Sequence, residues 1–184
     1  MKILFLGPGT PLPCLYDNGD HCVFVNCLVD MAFINGFNFD FIVSYNYPHI
    51  ITADIVKAYD GRAVNLHISY LPWNRGADPN FWSFMDDTPR GVTIHYIDEG
   101  IDTGDIIAKK LVKLSAKDTL RINYYKLHIA ILELFKKTWP AIRSMTCHRR
   151  KQRGKGSYHN KRDKDKYWAV MPKGWDTKCE DLMQ

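Results

Sequence analysis

Asn65 and His67 stand two apart in the run Val64-Asn65-Leu66-His67-Ile68-Ser69-Tyr70-Leu71-Pro72. Residues two apart on a strand leave the same face. An amide able to donate and an imidazole able to take up a proton would then point one way, with Leu66 and Ile68 on the buried side. That pairing suits proton transfer beside a developing negative charge. It equally suits two polar core groups that satisfy each other, and the pair alone does not separate these readings. Its surroundings bear on the choice. Ser69, Pro72, Asn74, Arg75, Gly76 and Asp78 make a polar, turn-rich loop directly after the strand. A second polar loop, Asp98-Glu99-Gly100-Ile101-Asp102-Thr103-Gly104-Asp105, follows further on.

These residues need elements to position them. Residues 2–6 read as a short buried strand ended by Gly7-Pro8-Gly9, and residues 10–21 hold turn formers (Pro11, Pro13, Asp17-Asn18-Gly19-Asp20). Further strands are expected at Cys22–Val25, Phe39–Ser44, Ala63–Ile68 and Val92–Ile97, with an extended stretch in Asp105–Leu114. Asp30 reads as the N-cap of a short helix over Met31 to Asn35, closed by Gly36. Thr52 could cap a second helix, which carries Ile55, Val56 and Ala58 and ends near Asp60-Gly61. Asn80 opens a third, stopped by Thr88-Pro89. Thr119–Thr138 is the clearest helix, since Leu120, Tyr124, Leu127, Ile131 and Leu134 recur at helical spacing. Pro140 is expected outside it. Short strands alternating with helices imply an open α/β sheet of parallel strands, with the site beyond their carboxyl ends.

The 184 residues suit one domain able to bury roughly 70% of its unfolded surface. The expected division is a catalytic unit over 1–148 with a basic carboxyl-terminal extension, 149–184, packed on it. Apolar runs such as Ile3-Leu4-Phe5-Leu6 fall far short of the about 20 residues of a membrane span, and the glycines after them interrupt any secretory segment. Five cysteines without regular spacing argue against a disulfide framework and for a reducing, cytoplasmic setting. Net charge is +5, but the stretch from Arg149 to Lys166 alone carries +7, leaving −2 for the rest. One localised anionic partner is the expectation, although a solvated charged segment reads the same way. Gly154, Gly156, Ser157, Tyr158 and His159 interrupt this run and suggest a loop able to hold a phosphate.

The three parts Asn65-x-His67-x-Ser69-x-Leu71-Pro72, Arg75-Gly76 and Asp102-Thr103-Gly104 match in order and spacing the signature of the formyltransferases that use N10-formyltetrahydrofolate. The chain resembles that family. The wording Trp73-Asn74-Arg75-Gly76-Ala77-Asp78-Pro79-Asn80, then Gly91-Val92-Thr93-Ile94-His95, Lys155–His159 and Gly174-Trp175-Asp176-Thr177 is similar to its sugar-nucleotide N-formyltransferases. The resemblance covers about residues 39–177 and implies a Rossmann-like catalytic domain, its sheet mostly parallel and open and its amino-terminal half shortened. It implies a catalytic set of Asn65, His67 and Asp102. His67 would help remove a proton from the attacking amine, since imidazole titrates near neutrality. Asn65 would donate to the oxyanion of the tetrahedral intermediate, and Asp102 would orient or stabilise charged His67. N10-formyltetrahydrofolate, a co-substrate, would contact Tyr45, Tyr47, Ile50, Ser69, Tyr70, Leu71, Pro72 and Asp98. Family members usually carry Gly where this chain has Asn46, and often a basic residue at Pro48. Asn tolerates positive φ better than most residues, so the turn should persist, while Pro48 removes one donor.

The second substrate implied is a nucleotide-linked amino-dideoxyhexose, with dTDP as the expected nucleotide. Its anion would engage Arg75, Arg150 and Lys155, with Trp73, Asn74 and Tyr158 completing the site. Metal is not expected: Cys22 and Cys27 lack a second ligand pair, and the histidines do not cluster at metal spacing. A homodimer is possible. Rival readings are formylation of an aminoacyl-tRNA or of glycinamide ribonucleotide, and a non-catalytic nucleotide-binding domain of the same fold.

Overall fold

A computed structural model describes residues 1–9 and 12–183; the turn former Pro11 lies outside the described residues. Strands β1 (Lys2–Leu6), β2 (His21–Val25), β3 (Phe41–Tyr45), β4 (Ala63–His67), β6 (Gly91–Tyr96) and β7 (Ile106–Leu111) form one sheet in the order β2-β1-β3-β4-β6-β7. β5 (Arg75–Gly76) and β8 (Tyr158–His159) form a separate parallel pair. The pairs β1–β2, β1–β3 and β3–β4 are parallel. The pairs β4–β6 and β6–β7 are antiparallel, so the sheet is mixed and mostly parallel rather than parallel throughout. The connection from β4 to β6 explains this: α3 (Pro79–Met85) and its flanking loops return the chain on the near side instead of crossing over.

The two faces of the sheet are covered differently. On one, Phe5, Phe41, Val43, Val64, Leu66, Val92 and Ile94 pack against Leu127, Ile131, Phe135 and Trp139 of α4 (Leu120–Arg143). On the other, Leu4, Leu6, Ile42 and Ala63 meet Ile34 of α1 (Met31–Phe37) and Ile55 of α2 (Ala53–Ala58). These two short helices serve the β1–β3 side, and the same face of β4 and β6 carries the polar side chains of the site.

Caps and breakers account for several boundaries. The Asp30 carboxylate accepts from the Phe33 amide, as an N-cap should. Gly36 does not close that helix. It runs on to Phe37, and Asn38 ends it in the left-handed conformation at φ 50°, its N–H donating to the Ile34 carbonyl. Asn performs this role because its short polar side chain lowers the cost of that conformation. The third strand starts at Phe41, since Phe39 is buried among the α1 aromatics instead. Pro140 lies inside α4, contrary to the sequence expectation. Trp139 and Ile142 on either side of it are buried, and their packing holds the last turn although the Pro140 nitrogen cannot donate.

Beyond α4, Arg150 adds to the sheet through reciprocal backbone bonds with Ile106 of 2.7 and 3.1 Å. A 3₁₀ helix over Lys161–Val170 follows. Met171, Cys179 and Leu182 then close over Phe81, Trp82 and Leu120 in a small separate core. No helix among the described residues is long and apolar enough to cross a membrane.

Candidate active site

Strand alternation sets the site's floor. In β4, Val64 and Leu66 point to α4, which forces Asn65 and His67 to the other face. Register places Ser44 of β3 beside Asn65, and His95 of β6 opposite it. Alternation along β6, with Val92, Ile94 and Tyr96 turned to α4, puts His95 on the site's face; the register shift between β6 and β7 at this point leaves Ile107 of β7 as the extra residue. Above this floor is a cleft of about 640 Å³, walled by residues 46–51, 76–80, 97–102 and 158–161, with Tyr124 and Trp175 also lining it. The loops lie beyond the strand ends, as expected, but the reactive side chains project from the sheet's face.

Asn65, His67 and Asp102 converge here. The Asn65 amide donates to Asp102 Oδ1 at 3.0 Å, and His67 Nδ1 lies 3.6 Å from Asp102 Oδ2. His67 Nε2 faces the Asn74 carbonyl at 2.9 Å. A carbonyl only accepts, so Nε2 carries a proton and Nδ1 is the position left to take one up. His95 is a fourth member that the sequence reading did not assign. Its Nδ1 donates to the Tyr96 carbonyl at 2.8 Å, and its Nε2 lies 3.3 Å from both Asp102 Oδ1 and the Asn65 amide nitrogen. Burial alone would raise the Asp102 carboxyl. The facing His67 and His95, with the Gly76 amide donating at 2.8 Å, outweigh it and hold that carboxyl well below the usual carboxylate range. Asp102 itself sits at φ 53°, a left-handed backbone that costs a non-glycine residue about 1 kcal/mol.

Of the co-substrate candidates, Tyr47, Ile50 and Asp98 line the cleft. The Tyr47 hydroxyl donates to the Cys27 carbonyl, and Asp98 accepts from Thr103 Oγ1 and the Gly100 amide within its own loop. Tyr45, Ser69, Tyr70, Leu71 and Pro72 are not among the cleft's lining. Tyr45 is buried against His128, its hydroxyl 2.6 Å from His128 Nδ1. Ser69 and Leu71 are buried and tied to Thr93, Tyr70 lies under the Lys109 ammonium, and the Pro72 carbonyl accepts from Ser157. Asn46 does take the expected positive φ, 53°, and its amide donates to the Tyr124 hydroxyl.

The substrate candidates divide similarly. Tyr158 is in the cleft and half exposed. Asn74 is wholly buried, bonded to Thr88 and Ser157, and acts on the site through its carbonyl to His67. Arg75 is committed to Gln152, and Arg150 to the Ile107 carbonyl. Trp73 and Lys155 do not line the cleft. The segment read as a phosphate loop is a clasp on the 72–77 stretch. Gly156, at φ 62°, lies where a Cβ would come within 2.1 Å of the Pro72 carbonyl, and the Ser157 amide already donates to that oxygen. Lys161 is the lysine or arginine that does line the cleft, and it forms no ion pair among the described residues. Sequence pattern gave it no distinction from its basic neighbours.

No group of three or more His, Cys, Asp or Glu side chains among the described residues could hold a metal ion. The walls do suit a flat heterocycle. Pro48, Ile50 and Ile51 face the cleft from one loop, Ile97 and Ile101 from the other. Among the described residues, the backbone N–H groups of His49, Ile50 and Ile101 have no internal hydrogen-bond partner, so they stay available to a ligand edge.

The formyl transferase family model matches residues 31–136. Over the full length of both chains, the protein is 46% identical to the formyltransferase PseJ from Anoxybacillus kamchatkensis, with a TM-score of 0.95; that crystal structure is a complex with UDP-4,6-dideoxy-4-formamido-L-AltNAc and tetrahydrofolate. It is 34% identical to the phosphoribosylglycinamide formyltransferase of Bacillus subtilis over 56% of this chain and 51% of that one. It is 39% identical to the methionyl-tRNA formyltransferase of Halothermothrix orenii over 65% of this chain and 37% of that one. The chain thus spans about half or less of the curated relatives it matches.

Proposed function

The chain belongs to the formyl transferase family, and we propose that it moves a formyl group from N10-formyltetrahydrofolate to the amino group of a nucleotide-linked 4-amino-dideoxyhexose. The observation that carries this reading is the end-to-end likeness to PseJ at 46% identity, joined to the convergence of Asn65, His67 and Asp102 in one open cleft. The sugar nucleotide in that relative is a UDP derivative, which favours uridine over the thymidine nucleotide expected from sequence.

When bound, the folate supplies an activated formyl carbon. The chain's own residues do the rest. The free Nδ1 of His67 takes a proton from the attacking amine, while Nε2 stays fixed on the Asn74 carbonyl. The imidazolium so formed faces the Asp102 carboxylate, which its neighbours keep ionised. The Asn65 amide, one hydrogen of which is donated to Asp102, would offer the other to the charge that develops on the formyl oxygen. Lys161, which has no ion pair among the described residues, meets the diphosphate from the wall, and Tyr158 offers a ring to the nucleoside.

The test is a panel of acceptors mixed with N10-formyltetrahydrofolate: UDP- and dTDP-linked 4-amino sugars, glycinamide ribonucleotide and aminoacylated tRNA. Formylation of the UDP sugar with the highest kcat/KM supports the reading. Preference for either of the last two assigns the chain to another branch of the family, and no turnover with any acceptor favours a binding role.

A further inference from the structure

Gln152 lies in the basic stretch but carries no charge, and its amide is fully committed. Its Nε2 donates to the backbone carbonyls of Asp102 at 2.8 Å and Gly104 at 3.0 Å. Its Oε1 accepts from Arg75 Nε at 3.1 Å and Nη2 at 2.9 Å. The orientation is forced: carbonyls can only accept and a guanidinium can only donate, so the flipped amide would set like against like at all four contacts. Few side chains could replace it, since the position needs two N–H donors and one oxygen that accepts twice on one planar group.

Both arms of this clasp lead to Asp102. One holds the backbone of a turn in which Asp102 takes a left-handed φ of 53° and Gly104 lies where a Cβ would fall 1.8 Å from the Tyr96 carbonyl. The other fixes Arg75, whose neighbour Gly76 donates its amide to Asp102 Oδ2. Gln152 is itself anchored close by, since Arg150 is zipped to Ile106. We propose that Gln152 is a positioning residue that sets the Asp102 carboxylate against His67, acting from the carboxyl-terminal segment without touching either substrate. The proposal rests on the reading of Asp102 as the partner of His67 in formyl transfer.

Two measurements test it, one independent of activity. Amide hydrogen exchange at Gly76, followed by NMR without substrates, reports whether the Asp102 carboxylate stays in place. In Gln152→Ala it should speed by about tenfold or more as the loop loosens. kcat should fall about 10- to 100-fold, the scale of a misplacement near 1 Å, while KM for both substrates barely changes. Gln152→Glu should behave like Gln152→Ala, because a carboxylate can still pair with Arg75 but has no N–H for the two carbonyls. If Gln152→Ala does not fold, Arg75→Met, which removes the other arm, carries the same two readouts. Unchanged exchange at Gly76, a kcat near wild type, or a fully active Gln152→Glu would each overturn the proposal. Wild-type protein that shows no formyl transfer but loses Gly76 protection on substitution would keep the clasp and sink the reaction assigned to it.

Discussion

The two faces of β4 are built from alternate residues of one short strand, and they do opposite things. Val64 and Leu66 are sealed against α4, where their contribution is area removed from water. Asn65 and His67, one position away each, open on the cleft and are held by polar partners from the segment after β4, which brings Asn74, and the loop after β6, which brings Asp102. The first face is satisfied by bulk and shape alone. The second needs particular atoms at particular distances, which is why its partners come from Asn74, His95 and Asp102, beyond the strand itself. Stability and chemistry are therefore separable by substitution along this strand.

His67→Ala should break the comparison most sharply. If His67 is the proton acceptor proposed above, this should lower kcat about 1000-fold, with a fall in stability of only about 1–3 kcal/mol from the Asn74 carbonyl left without its donor. Asn65→Ala should follow at about 100-fold or more, the usual loss of one oxyanion donor. A steady-state assay and a thermal melt on each variant check both. On the opposite face, Leu66→Ala should cost about 3 kcal/mol of unfolding free energy in a denaturant titration, yet leave kcat per folded molecule near wild type. A large kcat loss in that variant would show that the two faces are coupled. Lys161→Ala should raise KM for the nucleotide sugar about tenfold, in line with one lost charged hydrogen bond, and leave KM for the folate unchanged.

The smallest effect concerns pH and belongs to the structural side. Asp20 is buried, and its bond to Arg143 holds its carboxyl down at about 2. Its unfolded value is near 3.9. A carboxyl lowered in the folded state lends stability that is full above the unfolded value and lost as pH falls from about 4 toward 2. Asp20→Asn should flatten the stability profile in that window, as read by urea midpoints at stepped pH.

Much of this was legible before any coordinates. The alternation Val64-Asn65-Leu66-His67 placed the reactive pair on one face, and Asp30 caps its helix as its type suggests; Thr52 stands at the expected N-cap position of α2, but its hydroxyl donates to the Asp54 carboxylate instead of accepting from the helix backbone. What stayed hidden needed cross-strand or loop geometry. His95 stands opposite Asn65 only through the antiparallel register of β4 and β6, which one sequence does not reveal. Arg75, Arg150 and Lys155 resembled phosphate ligands by charge, but where two of them pair depends on Gln152 and the Ile107 carbonyl, far away in order. Pro140 continues a helix because the buried Trp139 and Ile142 override a local preference.

The Asn65, His67 and Asp102 cluster is proposed to formylate a sugar-linked amine. The most direct measurement is mass spectrometry of a UDP-4-amino-dideoxyhexose incubated with N10-formyltetrahydrofolate and either wild-type protein or His67→Ala. The account predicts a mass gain of one formyl group with wild type and none above background with the variant in the same interval. Equal formylation by both proteins, or none by wild type, would contradict it.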